Sequence, residues 1–468
     1  MPASGRAPWS LTATELGVAY CEGLSPREVI DATLQRIRQV NPQLNAIVTL
    51  DAAGAIDAAE QSAERWKQGR AIGPLDGVPV TIKDNIATRG DPTPLGTAAS
   101  DMAPATGDAP PAARLREAGA ILFAKTTMPD FGMLSSGLSS YHRLARNPWK
   151  LDRNPGGSSA GAGAAAAAQY GPLHIGTDIG GSIRLPAGWC GVFGLKPSAG
   201  RVPIDPPYIG RVAGPITRSG VDAALMMATL SLPDVRDYSS LKFEALDWTV
   251  KPAAVKGLKL GLMLEAGCGD PVSPSVRAAV ERAARDFEQA GAFVEPLPPF
   301  LNQEMLDGLD CFWRTRALVD IEALTREKQA AVLPFIREWA CSAKGLSGRE
   351  VFKGFSQIYA MRKAAVAGAS RFQYVLAPTA PMTAFPAEWA SPSQDPLRPF
   401  PQIGFTVAFN MSEQPAASVN CGFDADGLPI GLEIIGRRFD DVGVLAAARA
   451  YEIIRSTAML AWPEPPTA

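Results

Sequence analysis

The spacing of apolar residues divides the chain into helical and extended stretches. After Ser25, the residues Val29, Ile30, Leu34, Ile37 and Val40 recur at helical spacing, while Ser25, Pro26 and Glu28 supply an N-cap, a first-turn proline and a capping-box glutamate. A second helix is predicted from Asp51 to Lys67, stopping near Gly69. The period then changes. In GVPVTIKD, Val78, Val80 and Ile82 alternate with Pro79, Thr81 and Lys83, so a strand is predicted with Lys83 on the face opposite the aliphatics. Further strands are predicted at 121–127, 258–264, 372–378 and 429–436. A helical stretch ends at Gly119, and an amphipathic helix runs from Ser275 to Ala290 through Val276, Val280, Ala283 and Phe287. Strands separated by helices predict an α/β architecture with a mostly parallel or mixed sheet.

Residues 154–200 break the pattern, with twelve glycines and only three charged residues, Asp178, Arg184 and Lys196. Glycine at this density predicts main chain packed closely against main chain or ligand, and the alanine run 164–168 suits an interior helix. The length of 468 residues alone would suggest about three domains, but no low-complexity linker or repeat marks a boundary, so one domain over 1–468 is expected.

Composition narrows the function. Apolar residues make up 46% of the chain and 45 basic side chains face 47 acidic ones, which describes a globular protein without the basic patch that nucleic-acid binding requires. The N-terminal residues lack the basic start and apolar core of a signal peptide, and no run of about 18 apolar residues follows. A cytoplasmic protein with no membrane contact is expected. The six cysteines stand singly and read as reduced thiols. Only two histidines exist, His142 and His174, too few for a histidine-based zinc site, and the GxSxG order of a Ser-His-Asp hydrolase is missing. No metal or other cofactor is expected. The stretch Gly161-x-Gly163-x-x-Ala166 lacks the preceding strand and the well-spaced acid of a dinucleotide site, and no GxxxxGK[ST] loop occurs.

Two serines stand in glycine settings, Ser158 in NPGGSSAGAG and Ser182 in GTDIGGSIRLPAG. Consecutive backbone N–H groups in such loops can converge on an anion or oxyanion, and a plain flexible turn is the other reading of each. Taken with GVPVTIKDN around Lys83, these stretches resemble the amidase signature family. The resemblance extends through GVFGLKPSAGRVP (191–203), GPITRS (214–219) and the segment 409–441. Ser158 and Ser182 are 24 positions apart, as the family's two catalytic serines are, and Lys83 lies 75 positions before Ser158.

The resemblance implies a single large α/β domain with a central mixed sheet covered by helices on both faces. Its parts would be an N-terminal helical portion (1–70), a catalytic core (71–220), and the remaining sheet and pocket loops (221–468). It implies a Ser-Ser-Lys triad in which Ser182 is the nucleophile, Ser158, after a cis Gly157-Ser158 bond, is the bridge, and neutral Lys83 is the base. The backbone N–H groups of Ile179, Gly180, Gly181 and Ser182 would form the oxyanion hole. Gly132, Met133 and Leu134 follow the segment that lines the acyl pocket in relatives and would shape specificity, with plain core as the other reading of these apolar positions, and Asp178 and Arg184 would hold the nucleophile loop. Lys125 and Ser159 would support the site, while Cys190 reads as an inert buried thiol. The implied activity is hydrolysis of small aryl or alkyl amides, with esters or carbamates as further substrates, by a monomer or homodimer. The alternative within the family is the glutamine-hydrolysing component of a tRNA-dependent amidotransferase.

Overall fold

The computed structural model describes residues 5–456 and 461–466. Its strands, in chain order, are β1 (Ile47–Leu50), β2 (Pro79–Lys83), β3 (Ile121–Thr126), β4 (Leu173–Asp178), β5 (Phe193–Lys196), β6 (Val212–Thr217), β7 (Lys259–Leu262), β8 (Phe293–Pro296), β9 (Tyr374–Pro378), β10 (Ala416–Phe423) and β11 (Pro429–Ile435). Among the described residues these 11 strands form one sheet, ordered β1-β3-β2-β4-β6-β5-β10-β11-β9-β7-β8. β2 runs parallel to β3 and β4, and β7 runs parallel to β8 and β9, while the other pairings are antiparallel. The sheet is therefore mixed, as expected.

Helices cover both faces. On one, Val80, Ile82, Leu173 and Ile175 pack with residues of the helices Pro110–Glu117, Gly220–Leu230, Pro274–Gln289 and Asp441–Ile454. On the other, Ile121 and Phe123 meet Ile30, Leu34 and Ile37 from the helix Pro26–Leu44, and Ala164 and Ala165 from the helix Ala160–Ala167. Every residue of that alanine helix is buried, so its side chains stay small where it presses on the sheet.

The helices predicted near the N-terminus form where the caps require. Ser25 closes a capping box with Glu28 before Pro26–Leu44, and Asp51 accepts from Gly54 N ahead of Ala52–Lys67. Six strands, β1, β4, β5, β6, β8 and β10, lie outside the predicted set. β4, β5 and β6 are buried along their whole lengths and so show no two-residue alternation, and each carries a glycine. Among the described residues no helix is long and apolar enough to cross a membrane.

Candidate active site

The parallel register of β2 and β4 sets Val80 beside Leu173, Thr81 beside His174 and Ile82 beside Ile175. It brings Lys83, the last residue of β2, level with the carboxyl end of β4 at Thr177 and Asp178. Crevices at the carboxyl ends of parallel strands are where α/β sheets commonly bind ligands. From Asp178 the chain turns through Ile179, Gly180, Gly181 and Ser182 into the short helix Arg184–Cys190. Ser158 approaches from the start of the helix Ala160–Ala167, after a cis Gly157-Ser158 bond.

Lys83 is fully buried. Its Nζ lies 2.8 Å from Ser158 Oγ, 3.0 Å from Thr177 Oγ1 and 3.4 Å from the Thr177 carbonyl oxygen. Burial pushes the Lys83 pKa well below the ordinary lysine value and nearby Arg211 adds to the effect, while Asp178 and Asp84 oppose it without cancelling it. The three neighbours suit a neutral amine. Its two hydrogens can go to the two Thr177 oxygens, leaving the lone pair to accept from the Ser158 hydroxyl. Asn85 Nδ2 donates to Thr177 Oγ1 at 3.1 Å and steadies that side chain.

Ser182 is 9% exposed and Ser158 4%, and both line one cavity of about 510 Å³. The hydrogen bonds of the described residues include none between the two serine hydroxyls. Lys83 sits behind Ser158 rather than in the cavity wall.

A buried ionic network holds the turn from beneath. Asp178 accepts from the Gly181 N–H at 2.8 Å, the Ile183 N–H at 3.0 Å, Arg184 Nε at 3.0 Å, Arg184 Nη2 at 2.9 Å and Asn410 Nδ2 at 2.8 Å. Burial by itself would raise the Asp178 pKa, but the Arg184 guanidinium and these donors hold it well below the usual carboxylate range. Arg184 Nη1 also donates to Glu433 Oε1 at 2.6 Å and to the Thr406 carbonyl at 2.9 Å. Thr406 Oγ1 in turn donates to the Gly180 carbonyl at 2.6 Å, so both edges of the Gly180–Gly181 peptide are held, the carbonyl by Thr406 and the Gly181 N–H by Asp178.

Two glycines are required by the geometry. Gly181 has φ +127°, and a Cβ there would come within 2.6 Å of Thr406 Oγ1. Gly132 has φ +71°, and a Cβ there would stand 3.2 Å from Ser158 Oγ.

Of the residues singled out from the sequence, Ser158, Ser182, Asp178, Ile179, Gly180, Gly132, Met133 and Leu134 all line the cavity. Gly181 does not, and its N–H is engaged by Asp178. Of the four backbone donors expected there, those of Ile179, Gly180 and Ser182 are the ones that carboxylate does not take. Ser159 Oγ donates to the Thr177 carbonyl at 3.2 Å, whereas Lys125 is tied to the Pro92 carbonyl at 3.1 Å, outside the cavity wall. Cys190 Sγ lies 3.2 Å from the Pro155 carbonyl, and burial raises its pKa. Neither histidine lines the cavity. His174 meets Thr81 Oγ1 at 2.8 Å, and burial lowers its pKa to about 3.

Several lining or supporting residues carried no sequence signal of their own. Thr177 sits inside the motif around Ser182 but reads there as a plain strand residue. Trp313 and Phe400, whose rings pack edge to face at 5.4 Å in the cavity lining, come from remote segments. Arg211, Arg316 and Asp320 complete a charged edge on a largely apolar wall.

Residues 28–445 match the protein family described as Amidase. The chain is 36% identical to a glutamyl-tRNA(Gln) amidotransferase component from Myxococcus xanthus, over 94% of this chain and 96% of that one. It is 35% identical to an acylamidase of Rhodococcus erythropolis, over 95% of each. Among solved structures it resembles a bacterial aryl acylamidase of the amidase signature enzymes, with a TM-score of 0.87, 31% identity and coverage of 95% of this chain and 96% of that one. It also resembles a 6-aminohexanoate cyclic dimer hydrolase in complex with substrate, at TM-score 0.85 and 26% identity, over 96% and 98% of the two chains.

Proposed function

Since the chain belongs to the amidase signature family, we propose that it hydrolyses small aryl or alkyl amides through a covalent acyl-enzyme on Ser182. The observation that carries this reading is the contact between the buried, deprotonation-prone Lys83 and Ser158 at 2.8 Å, behind a cavity that Ser158 shares with Ser182.

Ser182 Oγ attacks the amide carbonyl carbon. Its proton moves to Ser158 as the Ser158 proton moves to Lys83, which becomes an ammonium. The carbonyl oxygen gains the negative charge, and backbone N–H groups of the Ile179–Ser182 turn stabilise it; one such donor is worth about 3 to 4 kcal/mol in comparable sites. Collapse of the tetrahedral intermediate breaks the C–N bond. The Lys83 proton returns through Ser158 to the departing nitrogen, which leaves as an amine. Water then attacks the Ser182 ester, giving a proton along the same path to Lys83, and that proton finally restores the Ser182 hydroxyl as the acid departs. The relay requires the Ser182 and Ser158 hydroxyls to come within hydrogen-bond distance of each other. Because the nucleophile and the oxyanion donors act on the carbonyl, esters and aryl carbamates fit the same scheme.

The apolar wall built by Trp313, Phe400, Phe131 and Met133 favours an aryl or alkyl body, and the likeness to an acylamidase supports that substrate class. The second reading, glutamine hydrolysis for a tRNA-dependent amidotransferase, is favoured by the amidotransferase components among the relatives. The purified chain, tested alone on 4-nitroacetanilide, benzamide, glutamine, 4-nitrophenyl acetate and ethyl N-phenylcarbamate, separates the two. Turnover of the anilide or benzamide that vanishes in Ser182→Ala, with the melting temperature near wild type, is the expected result. Turnover of glutamine alone would transfer the assignment to the amidotransferase reading, and anilide turnover surviving in Ser182→Ala would overturn the nucleophile.

A further inference from the structure

Arg211 enters the cavity without a counter-charge. It directly precedes β6, whose first residue, Val212, pairs with Asp178, so the antiparallel register carries Arg211 alongside the Ile179–Ser182 turn. Its side chain is part-buried and lines the cavity that holds both serines. The guanidinium has five N–H donors, and among the described residues its one hydrogen bond runs from Nη1 to the Pro206 carbonyl at 3.0 Å. Among the described residues no carboxylate lies within ion-pair distance of it.

The other guanidinium on this wall differs. Arg316 lies 3.5 Å from Asp320 and stacks over the Tyr208 ring, 4.1 Å from its centroid. Asp178, the remaining acid in the lining, is neutralised by Arg184. The cavity therefore carries one uncompensated positive charge on a largely apolar wall. Burial disfavours the Arg211 charge and Arg316 repels it, with only Asp205 opposing. A partly desolvated cation with unused donors is a fork that a planar oxyanion can complete.

Resting on the amide-hydrolase reading above, we propose that Arg211 recognises an anionic group on the substrate, so that the preferred amides carry a carboxylate on an apolar body. Arg211 selects the substrate and does not act on the scissile bond. Its tie to Pro206 also holds the 206–211 loop, but a purely structural tie would not distinguish an acid from its neutral counterpart of similar shape.

The test uses two matched pairs, because the carboxylate could sit on either side of the scissile bond. Succinic acid mono(4-nitroanilide) is compared with 4-nitrobutyranilide, and 4-acetamidobenzoate with 4-acetamidotoluene. The readout is the ratio of kcat/KM for acid over neutral compound, since both members of a pair share the Lys83 base and any effect of Arg211 on that base cancels. Wild type is expected to favour the acid by roughly tenfold or more in one pair, the scale of a charge-assisted hydrogen bond. Arg211→Gln should bring that ratio to about one, and Arg211→Lys should retain part of it.

Calorimetric binding of the same four compounds to Ser182→Ala, with and without Arg211→Gln, gives a readout that needs no turnover. Neutral anilides hydrolysed without any preference for the acids, in turnover or in binding, would overturn the anion subsite and leave the hydrolase reading standing. An acid preference that persists in Arg211→Gln would overturn it equally. Preferential acid binding that depends on Arg211, in a protein that hydrolyses none of the four, would uphold the subsite and remove the amidase reading.

Discussion

Thr177 faces Lys83 Nζ with two oxygens, its hydroxyl at 3.0 Å and its carbonyl at 3.4 Å. The pair orients the lysine lone pair toward Ser158 without supplying a negative charge that would keep the lysine protonated. Thr177→Val removes one acceptor while retaining the side-chain shape. It is expected to lower kcat by about ten- to a hundredfold, less than the roughly hundred- to ten-thousandfold that a general base supplies as a whole, with a stability loss of only about 1 to 2 kcal/mol. Because the hydroxyl favours the charged lysine more than the neutral one, its removal should shift the acidic limb of kcat/KM to lower pH. A limb that moves upward, or a kcat that stays at wild type, would contradict the assignment.

The base is active only when Lys83 is uncharged. The rate should climb with pH through the Lys83 pKa and level off above it, in a range well below that of an exposed lysine, first because burial disfavours the ammonium and then because Arg211 repels it. Arg211→Gln removes the positive neighbour, makes protonated Lys83 easier to form, and should move the limb to higher pH. Lys83→Ala should abolish the limb together with the activity. The pH profile of kcat/KM on 4-nitroacetanilide checks both directions.

Asp178 and Arg184 are an inward-facing pair with both side chains fully buried, 2.9 Å apart. Asp178→Asn leaves Glu433 as the one carboxylate paired with Arg184 among the described residues and gives up acceptor positions used by the turn. A loss on the order of 3 to 5 kcal/mol is expected from denaturant unfolding, accompanied by reduced activity as the turn loosens. The sign with pH follows from the depressed pKa of Asp178. Its stabilisation is fully present above the unfolded-state value near 4 and is lost as pH falls toward the folded-state value. Acid unfolding of the variant should therefore show a shallower dependence on pH below about 4 than that of the wild type. Equal stability at neutral pH would show that the network is dispensable.

Five of the eleven strands were legible, where local chemistry and tertiary burial agreed. The alternation of Val78, Val80 and Ile82 marked β2, and those residues do pack together on one face, with Lys83 out of phase toward the other. Ser25 marked its helix by capping it, and the structure shows Asp51 capping the next one. β4, β5 and β6 escaped notice because strands covered on both sides need no alternation. The residues around Ser158 and Ser182 were legible as chemistry before they were legible as structure, through the resemblance of their glycine-rich motifs and the one around Lys83 to the amidase signature family, a resemblance with which the shortage of histidine agrees.

The sequence by itself determined the α/β class, because periodicity and capping are local properties that survive without the fold, and it offered Lys83, Ser158 and Ser182 as candidates through the resemblance of their motifs to the amidase signature family. Only the tertiary structure decided which groups share the cavity. The register of β2 on β4 brings Thr177 to Lys83, the Asp178 carboxylate draws the Gly181 N–H away from the cavity, and Trp313, Phe400 and Arg211 meet from segments far apart in the chain. Burial lowers the basicity of Lys83, and burial belongs to the packed molecule as a whole: no stretch of sequence can strip water from its own lysine.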